Sequence, residues 1–90
     1  MKEVIDENTG QKWIQLSEDE IKFGFLARCI EALAEKENYN YLEMLYRLEN
    51  VNMTEGYILK HYNVLHTESM ENIVCDLSPL LHKRESELIA

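Results

Sequence analysis

Apolar side chains recur at the helical period from residue 17 onward. Ser17 and Glu20 form a capping-box pair, in which each side chain can accept a hydrogen bond from the other residue's backbone N–H. The apolar residues that follow are spaced by one, three or four positions, as on one face of an α-helix. The pattern predicts a first helix from Ser17 to about Asn38, with a core stripe of Ile21, Phe25, Leu26, Cys29, Ile30 and Leu33.

A second predicted helix begins after Asn40, which forms another capping pair with Glu43, and it runs to about Glu49. This helix is apolar on nearly all sides, and the thin core of a small domain rarely covers such a helix completely. We therefore expect one of its faces to contact a partner. The candidate interface residues are Tyr41, Met44 and Tyr46 of this helix, together with Trp13 of the N-terminal segment.

Two more helices are predicted. Thr54 is expected to cap a short third helix that ends near His61. Pro79 lacks an N–H and crowds the preceding turn, so the fourth helix is expected to kink or break near residues 76–78. Gly24 lies off the stripe of the first helix and predicts a close contact with another helix. The fourth helix begins after Thr67 and has a core stripe of Met70, Ile73, Val74, Leu77 and Leu81.

The first 16 residues have a different pattern. Val4-Ile5 and Trp13-Ile14 flank a turn-rich stretch that ends in Gly10, as in a β-hairpin. The sequence therefore predicts an N-terminal extension over residues 1–16, forming a β-hairpin, and a single helical domain over residues 17–90. The predicted fold class is mainly α: a compact bundle of about four helices, with the third one short.

The stretch His61–Ser69 joins the third and fourth predicted helices. Asn63 is expected to end one helix in the left-handed conformation, and Thr67 is expected to cap the next. Val64 and Leu65 are expected to hold this connection against the core. We interpret the stretch as a structural motif whose main residues are Tyr62, Leu65, His66, Thr67 and Ser69.

This stretch, followed by Ile73-Val74, resembles the central motif of an uncharacterised family of short bacterial proteins. The family is a domain of unknown function found largely in gut anaerobes, and the resemblance extends from about Ile21 to Leu81. Two residues depart from the family pattern. Asn63 stands where an acidic residue is usual, and Pro79 falls where members continue a helix.

The resemblance also implies a partner. Reading frames of family members often lie beside a frame that resembles an ADP-ribosyltransferase, so a protein of that kind is the partner the resemblance suggests. The family has no established catalytic residue, and none is assigned to this chain.

Charge and composition narrow the functional classes. The 90-residue chain has a net charge of −8, which disfavours contact with nucleic acids and anionic membrane surfaces. No apolar run approaches the length of a membrane span, and the N-terminus lacks the apolar core of a signal peptide. We therefore expect a cytoplasmic protein. Cys29 and Cys75 fit that compartment as free thiols.

Candidate chemistry is sparse. His66 could serve as a general base beside Tyr62, but no third group that would orient the ring can be identified in the sequence. The residues with metal-ligand chemistry lack the short paired spacing of structural zinc sites; they are His61, His66, Cys75 and His82. We therefore predict no catalytic residue, metal ligand or cofactor-binding residue, and no cofactor.

The leading functional prediction is a non-enzymatic protein-interaction module. Its partner would be an ADP-ribosyltransferase-like protein, with this chain in an antitoxin-like role, or a second copy of the chain in a homodimer. The alternative is a small enzyme or ligand-binding domain centred on Tyr62 and His66. An interaction module should expose an apolar patch, whereas an enzyme should enclose the imidazole in a concave pocket.

Overall fold

A computed structural model describes residues 3–6, 11–14 and 17–89 of the chain, and the side chains of residues 17–88. The described part is mainly helical, as predicted. It contains five helical segments, because part of the predicted connection after the third helix forms a short helix of its own. They are α1 (Glu18–Glu37), α2 (Tyr41–Asn50), a π-helix (Thr54–Leu59), α3 (Tyr62–Leu65) and α4 (Met70–Ile89).

Two short strands precede the helices. They are β1 (Glu3–Asp6) and β2 (Gln11–Ile14), which pair antiparallel with Val4 opposite Trp13. The connection between them and the side chains of both strands lie outside the described residues. The N-terminal β-hairpin and its packing therefore stay a prediction.

Local capping interactions set the bounds of α1. Ser17 Oγ accepts a hydrogen bond from Glu20 N at 3.2 Å, and Glu20 Oε1 accepts one from Ser17 N at 3.1 Å, which confirms the predicted capping box. The helix ends at Asn38, whose φ of 60° and ψ of 46° place it in the left-handed region. Asn tolerates this conformation better than most residues, so the chain can turn towards α2 immediately.

The stripe on α1 begins later than predicted. Phe25, Cys29, Ile30 and Leu33 are buried, but Ile21 is 46% exposed. Ile21 lies one helical turn before Phe25, the first buried residue of α1, so the N-terminal turn lies beyond the packed core. The close contact predicted at Gly24 is also absent, because a Cβ there would meet no atom within 4 Å among the described residues.

The segment after α2 folds differently from the prediction. Asn52, between α2 and the π-helix, has a φ of 56°, in the left-handed region. Thr54 was expected to cap a helix, but it is buried within the π-helix, in which Ile58 N donates to Met53 O at 2.9 Å across five residues. Gly56 permits a close approach here, since a Cβ would lie 2.5 Å from the side-chain nitrogen of Asn52.

Pro79 does not divide the last helix. α4 is one element from Met70 to Ile89 with Pro79 inside it, so the predicted break does not occur, while a kink stays a prediction. Pro79 is exposed, as is Cys75, whose carbonyl lacks an N–H partner at Pro79 and can be hydrated instead. Leu77 and Leu81 are fully buried and hold the two halves of α4 on the same core.

The helix α1 is at the centre of the packing and contacts α2, the π-helix and α4. None of the helices in the described part has the length and apolar character that crossing a bilayer requires. The core consists of buried side chains from every helical segment and from the connection after α2: Phe25, Cys29, Ile30, Leu33, Ala34, Met44, Leu48, Val51, Met53, Ile58, Leu65, Ile73, Val74, Leu77 and Leu81.

Candidate functional site

The helix α3 places Tyr62 against the N-terminal half of α1, and His66 follows directly after this helix. The ring of Tyr62 packs edge-on against Phe25, with a centroid distance of 5.3 Å and an interplanar angle of 85°. The ammonium group of Lys22 lies 5.7 Å from the centroid of the same ring. These contacts connect the stretch His61–Ser69, which we call the motif stretch, to α1 through the half-buried side chain of Tyr62.

The imidazole of His66 is held by its own helix. It stacks on the ring of Tyr62 at 4.5 Å with an interplanar angle of 6°, and its Nδ1 lies 2.7 Å from the carbonyl oxygen of Tyr62. Nδ1 is therefore the donor, and in the neutral ring Nε2 carries the lone pair. His66 is exposed and its ring is hydrogen-bonded to the backbone, and its assignment as a structural residue stays a prediction.

The caps of this stretch differ from the prediction. Asn63 lies inside α3 and does not adopt the left-handed conformation. Thr67 Oγ1 donates to Val64 O at 2.7 Å, so it closes α3 and does not open α4. The cap of α4 is Ser69, whose Oγ accepts from Asn72 N at 3.2 Å. The prediction failed because it treated α3 as loop.

Only one of the two apolar residues in this stretch reaches the core. Leu65 is buried, as expected, whereas Val64 is 63% exposed. Both residues belong to the same single helical turn, in which neighbouring positions point in different directions. Leu65 alone therefore anchors the stretch.

The helix α2 has two distinct sides. Met44 and Leu48 are fully buried, so Met44 belongs to the core and cannot be an interface residue as predicted. Tyr41 and Tyr46 are exposed, and Leu42 is exposed as well. The side chain of Trp13 lies outside the described residues. We define the outer face of α2 as Leu42, Glu43, Tyr46 and Glu49, all of which are exposed.

A cluster of polar side chains joins three helices where α1 ends, and sequence reasoning missed it. We call it the polar cluster: Glu37 of α1, Arg47 of α2, and Ser78, His82 and Glu85 of α4. Arg47 makes a bidentate pair with Glu85, through Nε to Oε2 at 2.8 Å and Nη2 to Oε1 at 2.6 Å. The side chains of Arg47 and Glu85 are 16% and 28% exposed, so this pair is shielded from water on most sides.

Glu37 binds the other members of the cluster. Its Oε2 accepts a hydrogen bond from Ser78 Oγ at 2.5 Å, and its Oε1 lies 2.8 Å from His82 Nε2. The hydrogen bond from Ser78 is the main cause that lowers the pKa of Glu37, and His82 and Arg47 lower it further while burial opposes them. The hydrogen bond from Arg47 likewise lowers the pKa of Glu85.

The guanidinium nitrogen of Arg47 that does not bind Glu85 also belongs to the cluster. Its Nη1 lies 3.7 Å from Glu37 Oε1, which is within ion-pair range but too long for a hydrogen bond. This nitrogen is buried and has no hydrogen-bond partner in the described part of the chain. The guanidinium carbon lies 4.6 Å from the centroid of the Tyr39 ring. Hydrogen bonds to Glu85 are the main cause that raises the pKa of Arg47.

Serine, histidine and glutamate in contact suggest a hydrolase, but the hydrogen-bond order differs from a catalytic triad. In a triad the imidazole accepts the serine proton and donates to the carboxylate. Here both Ser78 and His82 are hydrogen-bonded to the same carboxylate, that of Glu37. Ser78 is also buried, at 6% exposure, so its oxygen is not presented to a substrate. The geometry suits a link between helices.

A shallow groove of about 440 Å³ runs between α1 and α4. It is lined by Ala32, Lys36, Met70 and Cys75 among others, and His66 is not among its lining residues. Within the described residues no group of three His, Cys, Asp or Glu side chains could hold a metal ion. Cys29 and Cys75 are free thiols, and burial raises the pKa of Cys29 to about 11.

Comparison with known families gives one finding. The model of a family described as "Protein of unknown function (DUF3791)" matches residues 24–84, which is more than half of the chain. The match contains α2, the motif stretch and four of the five members of the polar cluster, and it ends one residue before Glu85. It confirms the resemblance to an uncharacterised domain of unknown function. Neither the curated proteins nor the solved structures give a match to this chain.

Proposed function

We propose that this chain, which belongs to the DUF3791 family of proteins of unknown function, acts as a non-enzymatic protein-interaction module. The main support is the outer face of α2, where Leu42 and Tyr46 are 59% and 62% exposed. Large apolar side chains at adjacent positions of one helix face are typical of protein contact sites. The cytoplasm is the compartment that we propose, in line with the free thiols.

The partner in this proposal is the ADP-ribosyltransferase-like protein of a neighbouring reading frame. The family resemblance supports this identification, and the antitoxin-like role is its extension. The net charge of −8 adds support, because acidic surfaces accelerate association with basic partners. A homodimer is the second candidate, since two-fold dimers are the commonest oligomers.

The described chemistry favours binding over catalysis. The Nδ1 of His66 is occupied by the carbonyl of Tyr62, and the ring is exposed rather than enclosed in a pocket. The carboxylates of the polar cluster are already bound by other side chains of the same chain. Nε2 of His66 is free, but general acid–base catalysis also requires a site that holds a substrate against the base, and His66 does not line the groove between α1 and α4.

One observation favours the alternative of a ligand-binding domain or small enzyme. The rings of Tyr62 and His66 stack in parallel planes, and His66 is exposed. Titration of the wild type and of His66→Gln with nucleotides and other small metabolites tests this alternative. Binding that is lost in His66→Gln, while the thermal unfolding temperature is kept, would replace the interaction module with a ligand site.

Sedimentation measures the proposed function directly. The chain is co-expressed with the protein of the neighbouring reading frame and is compared with the chain alone at micromolar concentration. We expect a stable complex with the neighbour or, failing that, a dimer of the chain, either of which requires an interface of about 1,000 Å² or more. A monomer that also does not bind the neighbour would overturn the proposal.

A further inference from the structure

We propose that the outer face of α2 binds a basic amphipathic segment of another protein. This inference rests on the proposed function as an interaction module and identifies the chemistry of the partner. It assigns the contact to four side chains, Leu42, Glu43, Tyr46 and Glu49.

The apolar part of the face lies at its middle. Leu42 and Tyr46 are separated by four residues, so their side chains lie one turn apart on the same face of α2. They are 59% and 62% exposed, although the inner positions Met44 and Leu48 are fully buried. A partner helix with apolar residues at a matching spacing would cover both side chains and gain the usual hydrophobic contribution.

The charged part of the face is entirely acidic. Glu43 lies three residues before Tyr46, and Glu49 lies three residues after it. Arg47 is the one basic residue of α2, but its side chain is only 16% exposed and is bound by Glu85. Lys36, near the start of α2 in sequence, lines the groove between α1 and α4. The outer face therefore presents carboxylates without a compensating cation from its own helix.

This charge pattern indicates which kind of partner the outer face of α2 binds. In a two-fold dimer built on this face, the same carboxylates would approach one another across the axis and repel. A lysine- or arginine-bearing helix would instead place cations beside Glu43 and Glu49. A net charge of −8 would also steer such a segment towards the chain from a distance.

The test uses a labelled helical peptide of about 18 residues, long enough for about five turns, with leucine on one face and lysine on the other. Fluorescence anisotropy measures its binding to the full chain. The variant Leu42→Ser with Tyr46→Ser removes the apolar part of the face. Its matched control is Val64→Ser with Leu88→Ser, because Val64 and Leu88 are 63% and 62% exposed elsewhere on the surface.

We expect the first double variant to weaken binding by at least about tenfold and the control to stay within about twofold of the wild type. Glu49→Lys should weaken binding more than Glu68→Lys, which makes the same change of charge in the turn before α4. The difference should be largest at low salt. The Glu49→Lys comparison stands by itself if the double variant does not fold.

Three results would overturn the inference. They are equal weakening in the two double variants, equally tight binding of a peptide with glutamate in place of lysine, and a concentration-dependent dimer that Leu42→Ser with Tyr46→Ser abolishes. Failure here is distinct from failure of the proposed function. A neighbouring-frame protein that binds wild type and variants alike would reject this face but leave the interaction module standing.

Discussion

The two sides of α2 contain similar residue types with opposite environments. On the inner side, Met44 is fully buried and Arg47 is bound to Glu85 of α4. On the outer side, Leu42 and Tyr46 are more than half exposed. The inner side therefore holds the helices together, and the outer side contributes little to the fold, which leaves it available for a partner.

The largest effect is expected at Arg47. Replacing Arg47 with Met leaves Glu85 and Glu37 partly buried without their cation, which should cost about 3–5 kcal/mol of unfolding free energy. Urea unfolding followed by circular dichroism measures this cost. Arg28→Met is the control, because Arg28 is exposed and should change stability by less than about 1 kcal/mol. A loss under about 1 kcal/mol at Arg47 would show that the polar cluster does not hold α2.

The next effect separates the inner from the outer side. Met44→Ala should cost about 2–4 kcal/mol because it leaves a cavity in the core. Tyr46→Ala should change the unfolding free energy by no more than about 0.5 kcal/mol, because most of that side chain is already in water. Similar urea midpoints for the two variants would remove the distinction between the sides.

The motif stretch also combines a buried and an exposed apolar residue, as the two sides of α2 do. Leu65→Ala should cost about 2–3 kcal/mol because Leu65 is buried, whereas Val64→Ala should cost less than about 0.5 kcal/mol. The pair is a matched test, since both residues lie in the single turn of α3. Equal losses would show that the stretch is held by its backbone hydrogen bonds and not by Leu65.

Capping of α4 gives a smaller effect. Ser69→Ala should cost about 1 kcal/mol, because Asn72 N loses its acceptor. Thr67→Ala removes only an exposed hydrogen bond to Val64 O and should cost about 0.5 kcal/mol. Thermal unfolding of both variants shows which residue caps α4. A larger loss of stability in Thr67→Ala than in Ser69→Ala would identify Thr67 as the cap.

Acidification should weaken the inner side gradually. The hydrogen bonds from Ser78 and Arg47 hold the folded-state pKa values of Glu37 and Glu85 below the ordinary value for glutamate, so the unfolded chain binds more protons as the pH falls. Their contribution is complete above about pH 4.5 and is lost as the pH falls through the folded-state values. Unfolding free energy measured from pH 6 to pH 3 should fall, with a shallower fall in Glu37→Gln. An identical acid limb in the variant would exclude Glu37 as a cause.

Features set by neighbouring residues could be predicted from the sequence. The capping boxes at Ser17 and Asn40 depend on residues three positions apart, and both are present. The stripes of α1 and α4 follow from helical periodicity, which identified most of their buried residues. Pro79 misled the prediction because exposure on the outer side of α4 makes the lost hydrogen bond tolerable.

Long-range features could not be predicted in the same way. Arg47 and Glu85 are 38 residues apart, and Glu37 and His82 are 45 apart, so no local pattern pairs them. The inner side of α2 was equally ambiguous, because a helix that is apolar on nearly all sides does not reveal whether Met44 or Tyr46 faces the core. The exposed side chains of α2 became identifiable only when the packing of α1, α2 and α4 was known.

Footprinting of the bound chain tests directly whether the outer face of α2 serves a partner. Hydroxyl radicals oxidise exposed leucine and tyrosine side chains, and mass spectrometry reads the extent at each residue. In a complex with the proposed partner, oxidation of Leu42 and Tyr46 should fall several-fold, while that of Val64 and Leu88 should not change. Unchanged oxidation of Leu42 and Tyr46 in a complex that forms would contradict the assignment of this face.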